Sequence, residues 1–68
     1  MQIIDARGLS CPEPVILTRQ ALASGEPRYQ VIVDNNTSKE NVTRYAHHQG
    51  YEVTISEQDG EYTLSLSK

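Results

Sequence analysis

The fold class predicted for this chain is a two-layer α/β sandwich in the order β-α-β-α-β-β, a four-stranded mixed sheet with two helices packed on one face. Three observations predict it. Apolar and polar residues alternate over 51–56 and again over 62–67, on either side of the turn residues Gln58-Asp59-Gly60, which is the pattern of a half-buried β-hairpin. Apolar residues recur at helical spacing after Cys11 and again after Thr37, each time behind a start signal. Finally, 68 residues are enough for one compact two-layer unit and little more, so residues 1–68 are expected to form a single domain.

The elements follow in order. Gln2 to Ala6 is a short apolar run read as the first strand, ending at Arg7-Gly8. The first helix is expected to start with Cys11 as N-cap. Pro12 would then occupy the first helical position, where its missing N–H costs nothing, and Glu13 would complement the helix dipole. Pro14 still falls in the turn whose N–H groups lack intrahelical partners. Pro14, Leu17, Thr18, Ala21 and Leu22 then form one buried stripe with Val15 at its edge, and Ser24-Gly25-Glu26-Pro27 ends the helix. Ile16 turns away from that stripe, an exposed apolar residue that is either unremarkable or part of a docking surface.

Residues 29–34, "YQVIVD", are β-branched and apolar except at Gln30 and read as an inner strand. The stretch "TSKE" is a capping box, with Thr37 as the cap and Glu40 reaching back to it. Val42, Tyr45 and Ala46 supply the buried stripe of the second helix, and Gly50 stops it. Tyr51, Val53 and Ile55 are expected to point inward, as are Tyr62, Leu64 and Leu66 across the hairpin.

Composition excludes several functions. A single cysteine rules out an intramolecular disulfide, and two adjacent histidines leave no set of spaced zinc ligands, because consecutive helical residues diverge by about 100°. No metal and no cofactor is expected. Nothing in "MQIIDARG" resembles a signal peptide, and no apolar run approaches the roughly 20 residues of a membrane span, so a cytoplasmic location is expected, where a lone thiol stays reduced. The net charge of −3 speaks against nonspecific nucleic-acid binding and suits a basic protein partner better. The strand positions expected to face solvent are Glu, Thr and Ser, without the aromatic platform on which RNA bases stack.

The chemistry therefore rests on Cys11. A sulfur at a helix N-terminus is stabilised as thiolate by the dipole and by free backbone N–H groups. Here Pro12 and Pro14 delete two of those donors, leaving that of Glu13, and of Val15, to face the sulfur. The charge of Glu13 opposes ionisation, and Arg7 would offset it by folding back toward the site. The expectation is an accessible, modestly activated nucleophile. The competing reading is a buried structural cysteine behaving as a small hydrophobe, which the flanking loop and prolines disfavour.

With these residues in view, the stretch "DARGLSCPEP", residues 5–14, resembles the signature of the TusA/SirA-like sulfur-carrier family, whose Cys-Pro-x-Pro motif is matched by Cys11, Pro12, Glu13 and Pro14. The stretch "VDNNTSKENVTRYAHHQGYEV" is most similar to the TusA-like domain of YedF-type proteins, associated with selenium or sulfur metabolism. The resemblance implies that Cys11 carries sulfur as a persulfide. It would be accepted from a cysteine desulfurase or another sulfurtransferase and relayed to a downstream acceptor protein in tRNA thiolation, cofactor synthesis or related metabolism. It further implies that Pro12 and Pro14 fix the helix start and that Gly8 lets the loop turn near the site. Asp5 would tie the loop by hydrogen bonds, and Arg7 would support an anionic persulfide. No residue is an obvious general base, so donor and acceptor enzymes would supply the catalysis. A noncatalytic interaction or regulatory domain, such as one part of a two-domain selenium-metabolism protein, is the alternative.

Overall fold

The computed structural model describes residues 2–10 and 12–68. Its elements are β1 (Gln2–Asp5), α1 (Glu13–Leu22), β2 (Arg28–Val33), α2 (Asn36–His48), β3 (Glu52–Gln58) and β4 (Glu61–Ser67). The strands form one mixed sheet in the order β1-β2-β4-β3. β1 runs parallel to β2, and the other neighbours are antiparallel. This is the predicted β-α-β-α-β-β sandwich.

The register shows how the alternation becomes a core. Ile4 lies beside Val31, Val31 beside Leu64, and Leu64 beside Ile55, while Tyr29, Leu66 and Val53 make a second row. Partners across a sheet point to the same face, so both rows meet the helices. There Pro14, Thr18 and Ala21 of α1 and Ser38, Val42 and Ala46 of α2 are buried against them. The opposite face carries Ile3, Gln30, Ser65 and Thr54 in one row and, among the described residues, has no helix over it. Ile3 is 61% exposed there.

The tyrosines fall on the core or its margin: Tyr29 and Tyr51 are buried, Tyr45 and Tyr62 half-buried. The Tyr29 hydroxyl is satisfied by the Glu26 N–H and by Ser24 Oγ, both at 2.8 Å. Asp59 and Gly60 both take positive φ, 52° and 79°, the two-residue hairpin geometry that matches strand twist.

Three local expectations give way. Ile55 is 43% exposed, because β3 is an edge strand and its second half extends past the helix layer. The cap of α2 is Asn35, not Thr37: Asn35 is extended, and its Oδ1 accepts the Ser38 N–H at 2.7 Å. Glu40 consequently does not reach back to a cap but accepts from Asn36 Nδ2 at 2.8 Å. The first turn of α1 also starts one residue later than expected. Pro12, at φ −99° and ψ 14°, is its N-cap, and Pro14 is the second helical residue. Ile16 donates the first helical hydrogen bond to the Pro12 carbonyl at 3.1 Å. Among the described residues no helix is long and apolar enough to cross a membrane.

Candidate functional site

Asp5, Arg7, Gly8, Pro12, Glu13 and Pro14, all singled out from the sequence, run from the end of β1 through the following loop into the first turn of α1. Ala6 is fully buried and donates to the Ile32 carbonyl at 2.8 Å, prolonging the β1–β2 pairing by one bond. The chain then turns. Asp5 Oδ1 accepts the Arg7 N–H at 3.1 Å, a side-chain-to-backbone bond two residues apart that closes the turn. The Arg7 guanidinium folds back onto the same carboxylate, Nε to Oδ1 at 2.9 Å and Nη2 to Oδ2 at 2.8 Å. Its remaining nitrogen, Nη1, reaches Glu61 Oε1 at 3.3 Å and Oε2 at 3.4 Å.

These contacts set the electrostatics. Hydrogen bonds from the Arg7 side chain, then from its backbone, hold the Asp5 carboxyl at about 2, well below its ordinary 3.8. Arg7 is raised further above its usual value, chiefly by Asp5 and secondarily by Glu61. All three side chains are around half exposed, so water screens the network. Its role is geometric more than energetic. The outcome also corrects the expected placement of Arg7: the guanidinium is spread across Asp5 and Glu61 and makes no ion pair with Glu13.

Gly8 follows at φ +77°, a conformation only glycine adopts without strain. A Cβ there would touch nothing within 4 Å, so the requirement is backbone freedom and not close approach. The Gly8 N–H donates to Asp34 Oδ2 at 2.7 Å, which ties the loop to the end of β2. Leu9 is half-buried against the core. The Ser10 carbonyl accepts the Glu13 N–H at 2.9 Å, so one of the two amides expected to face the sulfur is already engaged. Glu13 is exposed in the first turn, and Pro14 is buried. Cys11, the expected carrier and N-cap, lies outside the described residues.

The structure thus brings Asp5, Arg7, Gly8, Pro12, Glu13 and Pro14 into one loop and helix start. It adds two residues that sequence reading missed, Asp34 and Glu61. Asp34 carries a weak signal, a carboxylate ending an apolar strand. Glu61 carries none, because it lies 54 residues from Arg7 and meets it only through the strand order. The histidines His47 and His48 are exposed in the last turn of α2. Among the described residues no three His, Cys, Asp or Glu side chains gather as metal ligands.

The fold is shared with known proteins. Residues 2–68 match the family model described as "Sulfurtransferase TusA". The chain belongs to the TusA/SirA-like family. A relative from Methanocaldococcus jannaschii, named as a putative sulfur carrier protein, is 36% identical over 72 residues, spanning 100% of this chain and 95% of its own length. The crystal structure of the SirA-like protein from Desulfitobacterium hafniense superposes with a TM-score of 0.90 at 38% identity, covering 98% of this chain and 96% of that one.

Proposed function

We propose that this protein is a sulfur carrier that holds sulfane sulfur as a persulfide on Cys11, taking it from a donor protein such as a cysteine desulfurase and passing it to an acceptor protein. The reading is supported above all by the family match over residues 2–68, combined with one cysteine followed by Pro12, Glu13 and Pro14. The exchange balances without an external oxidant or reductant. The Cys11 thiolate attacks the terminal sulfur of the donor persulfide, a new S–S bond forms, the donor's S–S bond breaks, and the donor cysteine leaves with the electron pair as thiolate. Repetition of the step, with Cys11 as leaving group, unloads the cargo. A second thiol in the chain would expel the sulfur as sulfide by closing a disulfide, and the sequence has none.

The residues around Cys11 serve presentation in this scheme. Pro12 and Pro14 preset the backbone at the helix start, and Asp5, Arg7, Gly8 and Glu13 shape the approach to it. A reducing, cytoplasmic setting suits a free thiol. Incubation with a desulfurase and cysteine is expected to add the mass of one sulfur atom to the intact protein, and Cys11→Ser to abolish the adduct. Loading that persists in Cys11→Ser overturns the assignment.

A further inference from the structure

An apolar groove of about 410 Å³ lies between α1 and α2, lined by Pro12, Val15, Asn41, Arg44, Tyr45 and His48. Its α1 wall begins at Pro12, the residue directly after Cys11 in the sequence. Two rows of side chains at helical spacing make it, 12 and 15 on one side and 41, 44, 45 and 48 on the other. Ile16, 36% exposed, stands on the neighbouring row and does not line it. No carboxylate lines the groove, whereas Arg44 and His48 do. The Arg44 guanidinium donates to Asn41 Oδ1 at 3.3 Å and has no carboxylate at ion-pair distance among the described residues.

This local charge runs against the net charge of −3. Seven of the nine carboxylates fall outside the two helices, while Arg19, Lys39 and Arg44 outnumber Glu13 and Glu40 within them. A depression on the sheet, lined by Ser56, Gln58, Asp59, Glu61 and Thr63, is polar and acidic by contrast. The groove itself therefore offers positive charge, in contrast to the net charge from which a basic partner is expected.

We propose that the groove seats an acidic segment of the protein that exchanges sulfur with Cys11, one apolar side chain resting on Pro12, Val15 and Tyr45 and a carboxylate meeting Arg44. The proposal rests on the sulfur-carrier reading and names the chemistry of its partner. Electrostatic complementarity of this kind steers encounter and fixes register. Here it would hold the partner's sulfur against the start of α1.

The test measures desulfurase-driven persulfidation, with a bacterial cysteine desulfurase and cysteine as the probe, for the unaltered protein, Arg44→Glu, Arg44→Lys and Arg28→Glu. Arg28 is exposed at the far end of the sheet and matches the change in net charge. Arg44→Glu is expected to raise KM about tenfold, the size of one interfacial charge contact turned repulsive, with kcat little changed. Arg44→Lys should recover most of the affinity, Arg28→Glu should leave KM as it was, and added salt should raise KM less in Arg44→Glu than in the unaltered protein. Loading by inorganic polysulfide, which needs no docking, should be equal in all four.

An unchanged KM in Arg44→Glu, or an equal rise in Arg28→Glu, overturns the groove and leaves the carrier standing. Loading by polysulfide but not by the desulfurase does the same. Failure of both sulfur sources to load the unaltered protein overturns the carrier reading and the groove with it.

Discussion

The two helices of this protein begin in different ways. α2 is sealed by a neutral side chain, the Asn35 carboxamide accepting the Ser38 N–H at 2.7 Å. Among the described residues α1 has no side-chain cap: its N-cap is Pro12, a second proline stands at 14, and the chain leading into it is moored by the charged groups Asp5, Asp34 and the Arg7–Glu61 pair. A capped start spends its backbone donors on the protein's own stability. The α1 start gains its order from two prolines, which preset the backbone, and the Glu13 N–H is met by the Ser10 carbonyl instead of by a capping side chain. The difference separates the helix that supports the sheet from the one next to the proposed chemistry.

The comparison is open to three tests, in falling order of effect. Pro14 is buried, so Pro14→Ala removes two packed methylenes and loosens the unfolded chain, and is expected to cost about 2 kcal/mol in urea unfolding. A cost near zero would mean that the second proline does nothing for the stability of the α1 start. Asn35→Ala should cost about 1 kcal/mol, as the loss of an N-cap does. It should leave the alkylation rate of Cys11 untouched; a changed rate would show that the two helix starts are not independent.

The smallest effect comes from acid. Asp5 has a depressed carboxyl pKa, so its contribution is complete above 3.8 and is lost as pH falls through about 2. The protection factor of the Arg7 amide is therefore expected to drop over that window, while that of the Ser38 amide, bound to an uncharged cap, holds. Asp5→Asn should remove the drop at Arg7. Equal losses at both amides would erase the distinction between a titratable mooring and a neutral one.

What the sequence disclosed and what it withheld divide along the same line. The hairpin could be read because Tyr62, Leu64 and Leu66 alternate strictly and Asp59-Gly60 supplies two residues suited to positive φ. The buried stripes could be read because Thr18 and Ala21, or Val42 and Ala46, repeat at helical spacing. Caps were harder. "NNTS" offers four capping residues in succession, and the choice of Asn35 depends on where the chain leaves β2 in extended form. Pro12 was misplaced by one position for a similar reason, since both it and Cys11 suit the boundary. Glu61 could not be read as a partner of the loop and Asp34 only weakly, because their contacts depend on the neighbour order of the strands and on β1 running parallel to β2. Ile55 kept its inward phase, yet periodicity carries no information about how far a helix layer reaches.

The strand order has a practical consequence. Because β1 and β2 run parallel and β4 runs against them, the β1–α1 loop, Asp34 and the hairpin tip share one pole, whereas Gln2, where β1 begins, and Ser67, where β4 finishes, sit beside Tyr29 and Arg28 at the other. Four strand residues, about 13 Å, separate the two poles along β1. A fluorophore, a resin or a neighbouring folded unit attached through either tail thus leaves the pole of the proposed site unobstructed, and, on the carrier proposal, immobilised material should exchange sulfur as freely as protein in solution.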